Sequence, residues 1–141
     1  MNLEPFFNPK SIAIVGASRH QGKVGYEITS NILRAGYTGK VFPVNPKARS
    51  IEELKCYPDL ESIGAVPELV IIIVPAKIVP EVMKQCGTVG AQAVIIITAG
   101  FKEVGREGRD LEQQIIQSAK QYGIRVIGPN CLGVISTSSR L

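Results

Sequence analysis

The feature that most constrains this fold is a series of five short runs rich in β-branched residues, spread along the whole chain. The runs occupy residues 11–15, 40–44, 69–74, 93–98 and 124–127. In the middle three, apolar residues follow one another without the alternation of a half-exposed strand, as in a parallel sheet covered on both faces. We therefore expect strands of one parallel sheet, with helices between them.

The segments between these runs carry apolar residues at helical spacing. The sets are Val24, Ile28 and Ile32; Val79, Val82, Met83 and Cys86; and Leu111, Ile115, Ala119 and Tyr122. Gly36, Gly87 and Gly123 follow as expected helix stops, because glycine accepts the left-handed conformation. The stretch 45–67 is less regular, and a short helix over 51–54 and an extended piece near Tyr57 are the options there. The sequence predicts an α/β, three-layer Rossmann-like fold: a five-stranded parallel sheet with helices on both faces, joined by right-handed crossovers.

Length and composition bound the possible functions. A chain of 141 residues, 45% of them hydrophobic and 20% charged, suits one globular domain. Its apolar runs are far shorter than the roughly 18 residues that cross a bilayer. Glu4, Pro5 and Pro9 do not fit a secretory signal. We expect a cytosolic (cytoplasmic) protein with no membrane partner.

Three cysteines, Cys56, Cys86 and Cys131, form neither a disulfide framework nor the close pairs of a zinc site. The formal net charge of +4 suits an anionic ligand. Without a basic stripe and stacking aromatics, it does not indicate nucleic acid. We assign no metal ligand.

The loop 16–25 runs from a predicted strand into a predicted helix, so it lies at the edge where parallel sheets bind ligands. It departs from a Walker A loop in spacing and in having Val24 after Lys23. It also lacks the second glycine of a dinucleotide fingerprint, where Ser18 stands, although Gly22 and Gly25 could let a phosphate approach. A glycine-containing loop that opens a helix still binds anions through its N–H groups and the helix dipole, and Ser18, Arg19 and Lys23 would add to this. The alternative is a simple tight turn.

The second loop separates the cofactors. An NAD site places Asp or Glu after the second strand, whereas this chain has Asn45, Pro46 and Lys47, with Arg49 close behind. A lysine there attracts a ribose phosphate, which NADP carries at the 2′ position and coenzyme A (CoA) at the 3′ position. The alternative for Lys47 is a solvated lysine in a turn.

The remaining loops suit the wall of a ligand site or ordinary strand ends. They comprise Val74, Pro75 and Ala76; Thr98, Ala99 and Gly100; and the segment 128–133, where Pro129 and Asn130 indicate a shaped loop. Cys131 as a nucleophile would need a base, and the only histidine, His20, lies in a separate loop. We interpret Cys131 as a small buried thiol and His20 as a flexible loop residue or ligand contact, and we assign no catalytic residue.

Together the motifs resemble, in order and over nearly the whole chain, the CoA-binding domain at the start of NDP-forming acyl-CoA synthetases. The motifs are PKSIAIVGAS at 9–18, VNPK at 44–47, IVPA at 73–76, TAG at 98–100 and GPNCLGV at 128–134. ADP-forming acetyl-CoA synthetases are the nearer resemblance, and the α subunit of succinyl-CoA synthetase the more remote. The resemblance implies that CoA phosphates and adenosine lie against residues 18–21 and Lys47, and the thiol-bearing arm along 74–76 and 98–100.

The resemblance also implies a division of labour among domains. The family joins an acyl group to CoA through a phosphohistidine on a downstream domain, which His20 does not match, and it uses ADP or ATP on further domains. We therefore expect residues 1–141 to be one CoA-binding domain of a longer ligase, inactive alone, with CoA and other synthetase domains or subunits as partners. The alternatives are a stand-alone CoA-binding regulatory protein and an NADP-binding oxidoreductase domain. The expected CoA contacts are Gly16, Ser18, Arg19, His20, Gln21, Gly22, Lys23, Asn45, Pro46, Lys47, Val74, Pro75, Ala76, Thr98, Ala99, Gly100, Asn130 and Cys131.

Overall fold

In the computed structural model, which describes residues 3–141, strands and helices alternate along the chain. Residues 1 and 2, part of the expected domain 1–141, lie outside the described residues. The strands are β1 (Ser11–Val15), β2 (Lys40–Val44), β3 (Ser50–Ile51), β4 (Leu54–Lys55), β5 (Leu69–Ile72), β6 (Ala93–Ile96) and β7 (Arg125–Ile127). The α-helices are α1 (Glu4–Phe7), α2 (Val24–Arg34), α3 (Val79–Val89) and α4 (Arg106–Tyr122). Across residues 3–141, no helix is long and apolar enough to span a membrane.

Five strands form one parallel sheet in the order β2-β1-β5-β6-β7, which confirms the predicted fold class. β5 and β6 each end two residues before the predicted bound, and β7 begins one residue after it. Ile14 in β1 pairs with Pro43 in β2 on one side and with Ile71 in β5 on the other. Pro43 is tolerated because β2 is the edge strand of this sheet. The strand order changes direction between β1 and β5, so the ligand crevice belongs at the carboxyl ends of these two strands.

The central strands β1, β5 and β6 are buried on both faces. On one face, side chains such as Ile72 pack with Met83 of α3 and Ile115 of α4. On the other face, side chains such as Ile71 pack with Ile32 of α2. Apolar groups are thus needed on both sides of each central strand, which is why those runs do not alternate.

The helix stops were predicted correctly at two of three glycines. Gly123 ends α4 with φ of 68°, and Gly36 follows the end of α2 with φ of 79°. The stop predicted at Gly87 is wrong, because α3 continues past it and ends at Gly90 with φ of 85°. Gly87 instead makes room for a neighbouring helix, since a Cβ there would lie 2.2 Å from the ring of Tyr122.

The stretch 45–67 contains a small hairpin. β3 and β4 pair antiparallel, and the short helix considered over 51–54 is wrong. Glu52 and Glu53 turn the chain with φ of 49° and 63°, as in a two-residue hairpin loop, and Ile51 is buried. The extended piece near Tyr57 is confirmed, because Tyr57 forms a parallel bridge with Val44 of β2. Two glutamates are not the residues that usually signal such a turn.

Candidate functional site

The loops after the parallel strands lie side by side at the carboxyl edge of the sheet and are joined by hydrogen bonds. The Asn45 side-chain amide donates to the carbonyl oxygen of Ala17 at 2.8 Å, which joins the loop after β2 to the loop after β1. The Thr98 hydroxyl donates to the carbonyl oxygen of Val74 at 2.7 Å. The Asn130 N–H donates to the carbonyl oxygen of Thr98 at 2.9 Å. The predicted site residues therefore lie along one continuous edge.

Two close backbone contacts fix the start of α2 at the point where the strand order reverses. Gly16 has φ of 95°, and a Cβ on it would lie 2.9 Å from the carbonyl carbon of Ile73. A Cβ on Gly25 would lie 2.1 Å from the carbonyl oxygen of Gly16. The absence of a side chain at Gly25 is therefore required by the packing of α2 against the strand end, and its role in phosphate approach stays a prediction. Val24 begins the apolar set predicted for α2 but is 53% exposed, so of that set only Ile28 and Ile32 pack in the core.

The loop after β1 presents polar groups to solvent at the positive end of α2. Residues 19–23 are exposed and Ser18 is half-buried. The Ser18 hydroxyl accepts the N–H of His20 at 3.1 Å, and Glu27 accepts the N–H of Gly22 at 3.0 Å. The Lys23 N–H also donates within the loop, so among residues 19–23 the N–H groups of Arg19 and Gln21, the two cations and the dipole of α2 are what can attract an anion. The role of Glu27 was missed, because an acidic residue in the first turn signals the start of a helix and does not by itself indicate a hydrogen bond to the preceding loop.

The loop after β2 is organised by Asn45. Its side-chain oxygen accepts the N–H of Lys47 at 2.8 Å, while its amide holds the loop after β1. Pro46 and Lys47 are exposed. The Cys56 thiol lies 3.6 Å from the Asn45 carbonyl oxygen. Burial raises the pKa of this thiol. At the position where an NAD site has a carboxylate, this chain has an amide whose polar atoms are both engaged, with a cation beside it.

Charge is distributed unevenly along the edge. The cations near the first two loops are Arg19, Lys23, Lys47 and Arg49. Among the described residues, none of these four has a carboxylate within ion-pair distance. By contrast, the lysines beyond β5 and β6 are paired, Lys77 with Glu107 at 3.0 Å and Lys102 with Glu112 at 3.9 Å. The start of α4 carries two further exposed cations, Arg106 and Arg109, but the same stretch, residues 101–112, also holds four carboxylates, Glu103, Glu107, Asp110 and Glu112. Net positive charge is therefore concentrated at the end of the edge formed by β1 and β2.

The loops after β5 and β6 form a compact wall of small, uncharged groups. Val74, Ala76 and Thr98 are half-buried, while Pro75 and Ala99 are exposed. Gly100 has φ of 106°, and a Cβ on it would lie 3.2 Å from the Ala76 side chain. Its N–H donates to Glu103 at 2.7 Å, and this and further backbone hydrogen bonds lower the pKa of the Glu103 carboxyl. Glu103 was also missed by sequence reasoning.

The loop after β7 is shaped, as predicted. Gly128 has φ of 99°, and Asn130 adopts a left-handed conformation with φ of 55°, which asparagine tolerates. The Cys131 thiol is half-buried and lies 3.3 Å from the carbonyl oxygen of Ile96. His20 lies in the exposed loop after β1. Within residues 3–141, no group of three His, Cys, Asp or Glu side chains could hold a metal ion.

A parallel sheet with an exposed, cation-bearing helix start at the strand-order reversal, and a further cation after the next strand, is the arrangement of Rossmann-like domains that bind phosphate-bearing cofactors. A family model described as CoA binding domain matches residues 10–137. The chain belongs to this CoA-binding domain family.

Relatives carry the same domain within longer proteins. The chain is 45% identical over its whole length to the α subunit of acetate–CoA ligase (ADP-forming) I from Pyrococcus furiosus, and spans 31% of that protein. It is 43% identical to the 4-hydroxybutyrate–CoA ligase (ADP-forming) of Nitrosopumilus maritimus, covering 99% of this chain and 20% of that protein. Among solved structures, a dinucleotide-forming acetyl-coenzyme A synthetase from Ca. Korarchaeum cryptofilum, in complex with phosphate and ADP, is 41% identical with a TM-score of 0.94. That match covers 99% of this chain and 30% of the other.

Proposed function

We propose that this domain binds CoA along the carboxyl edge of its sheet and is the N-terminal domain of an NDP-forming acyl-CoA synthetase. The observation that carries this proposal is the uneven charge along the edge. The loops after β2 and β6 are three strand spacings apart, roughly 14 Å at about 4.8 Å per spacing. A ligand that uses both must be long, anionic at one end and neutral at the other. CoA, with its phosphates at one end and its thiol arm at the other, has this form.

Residues 18–23 would hold the diphosphate through N–H groups and cations, and Lys47 would pair with the 3′-phosphate. The neutral arm would extend along residues 74–76 and 98–100, toward Asn130 and Cys131. The hydroxyl of Thr98 donates to Val74 and keeps its lone pairs for a ligand N–H. In this arrangement the domain positions the thiol for an acyl group that another domain delivers.

The relatives suggest that this domain does not select the carboxylic acid that is joined to CoA. Proteins named for acetate and for 4-hydroxybutyrate match the chain almost equally well, at 45% and 43% identity. Their shared substrate is CoA, so we place recognition of the acid elsewhere in the parent protein. Binding of ADP or ATP and the transfer of phosphate also belong to other domains, and we expect the 141-residue chain alone to bind without turnover.

The proposal is tested by calorimetric titration of the 141-residue protein with CoA, dephospho-CoA and NADP. Lys47→Ala should weaken CoA binding by about 1–3 kcal/mol, the worth of a charge-assisted contact, and leave dephospho-CoA binding nearly unchanged. Lys77→Ala is the matched control, because Lys77 is already paired with Glu107. Tighter binding of NADP than of CoA would favour an NADP-binding oxidoreductase domain instead. If Lys47→Ala weakened the binding of CoA and of dephospho-CoA equally, Lys47 would not contact the 3′-phosphate.

A further inference from the structure

A groove of about 270 Å³ opens on the face of the sheet that α2 covers. Ile28 and Ile32 of α2 form one wall, and Leu132 and Ile135 form the other. Side chains of β5 and β6, with the adjoining Ile97, form the floor. Among the described residues, no charged side chain lines this groove. Its chemistry therefore differs from that of the cationic loop after β1 and does not suit a polyanion.

The groove follows from the way the two faces of the sheet are covered. α3 and α4 pack together over one face, whereas the other has the four-residue α1, α2 and the segment 131–141, which contains no helix or strand and turns at residues 137–140. On that second face, the β6 and β7 side is therefore covered by α1 and this irregular segment, where the first face has a long helix. Leu132 and Ile135 on this segment are 103% and 85% exposed. Two apolar side chains left this exposed beside an apolar groove make this face a candidate interaction surface.

The likeness to longer proteins indicates what covers the groove. In the Pyrococcus furiosus relative the matched region is 31% of the protein, so most of its residues lie outside this domain. Leu141 also lines the groove, so a domain joined after it would lie beside this surface. A stable dimer buries about 800 Å² on each partner, so a second copy would have to cover much surface besides this groove. A linked domain needs less contact, because the linker keeps its effective concentration high.

We propose that an apolar segment of an adjoining synthetase domain occupies this groove, with Leu132 and Ile135 as its main contacts. The inference rests on the proposed function, because it takes the chain to be one domain of a larger ligase. It does not depend on the phosphate-binding loop, so titration of the free domain with CoA tests the proposed function separately.

The test compares the free 141-residue protein with the same chain grafted in place of the matching region of the Pyrococcus furiosus α subunit. Amide hydrogen exchange is measured over residues 132–135. Among residues 3–141, their N–H groups have no backbone hydrogen-bond partner, so they should exchange fast in the free protein. We expect exchange at least tenfold slower in the graft. Leu132→Ser with Ile135→Ser should abolish this protection, and Val66→Ser with Val104→Ser, which removes two other exposed apolar side chains, should not.

A second measurement does not require the graft to fold. The α subunit without its matched region is added to the isotope-labelled 141-residue protein, and chemical shifts should move at residues 28–35 and 132–135 and not in α4. Unchanged exchange in the graft together with unchanged shifts in the mixture overturns the proposal. So does a dimer of the free protein in sedimentation that Leu132→Ser with Ile135→Ser dissociates, since the occupant would then be a second copy.

Discussion

The two ends of the carboxyl edge differ in whether their cations are paired with carboxylates. In the loops after β1 and β2, the cations have no carboxylate partner within residues 3–141, and Asn45 positions the backbone. In the loops after β5 and β6, the lysines are paired with Glu107 and Glu112, and Glu103 occupies the N–H of Gly100. Positive charge that the protein leaves unpaired is available to a ligand, whereas charge already paired is not. The first end is therefore suited to phosphates and the second to a neutral arm.

The largest expected effect comes from adding a side chain where the backbone of Gly25 contacts that of Gly16. This contact lies at the cationic end of the edge, which we call the phosphate end because we propose that it holds the CoA phosphates. In Gly25→Ala the new Cβ would meet the carbonyl oxygen of Gly16, and backbone on both sides leaves no room to adjust. We expect a stability loss of about 3 kcal/mol or more, with loss of CoA binding. Urea unfolding and CoA titration measure the two effects.

Gly87→Ala is the matched control for that change. Its Cβ meets the ring of Tyr122, a 40% exposed side chain that can rotate away, far from the carboxyl edge. Stability should fall by less, and CoA affinity should stay the same. If Gly87→Ala abolished CoA binding as well, the loss of binding in Gly25→Ala would be explained by general destabilisation. The contact between Gly25 and Gly16 would then have no specific role in CoA binding.

Asn45→Asp sharpens the comparison by giving the phosphate end a carboxylate. The variant keeps an acceptor for the N–H of Lys47 but loses the donor to Ala17, at a cost of about 1–2 kcal/mol in stability. It should also neutralise Lys47 and weaken CoA binding more than Asn45→Ala does. The excess should shrink in high salt, since it is electrostatic. Equal CoA affinities of the two variants at low salt would place the phosphates away from this loop.

Much of the fold could be predicted from sequence because its signals are local. The bounds of β1 and β2 were confirmed, because each run of apolar residues ends at residues typical of a turn, Gly16 after β1 and Asn45 with Pro46 after β2. The predicted end of α3 was wrong because position 87 needs glycine for tertiary packing and not for a helix stop. The ring of Tyr122, 35 positions further along the chain, occupies the space that a side chain would take there. The hairpin turn was missed because Glu52 and Glu53 both adopt a left-handed conformation, and glutamate is not among the residues whose type signals such a turn.

The site was predictable to a similar degree. All five strands of the main sheet run parallel, so the loops that follow them meet at one edge, and the strand pattern in the sequence is enough to predict this grouping. The hydrogen bonds within the edge could not be predicted, because they depend on side-chain directions. Glu27 and Glu103 each accept a loop N–H from a residue three to five positions earlier, and sequence spacing does not distinguish such a contact from a solvated carboxylate.

A smaller effect is expected from Glu27, the carboxylate within the phosphate end. Glu27→Gln keeps an acceptor for the N–H of Gly22 but removes a negative charge beside the proposed phosphate site. CoA should bind a few-fold more tightly at low ionic strength, with the gain fading as salt is raised. Glu27→Ala, which removes the acceptor as well, should lose part of that gain because the loop is less ordered. Weaker binding by Glu27→Gln would show that the charge itself is needed there.

The smallest effect concerns the carboxylate at the other end of the edge. Because the backbone N–H of Gly100 donates to Glu103, the pKa of this carboxyl is lowered in the folded protein. A lowered folded-state pKa contributes stability that is present above the unfolded value, about 4.3 for glutamate, and is lost as pH falls through the folded value. Glu103→Gln should therefore reduce the loss of stability on acidification, measured as the urea midpoint between pH 6 and pH 3, and leave CoA affinity at neutral pH unchanged. Glu61→Gln, which removes an exposed carboxylate elsewhere, is the control for net charge. A change in CoA affinity with Glu103→Gln alone would mean that the neutral end also senses ligand charge, and the contrast between the two ends would fail.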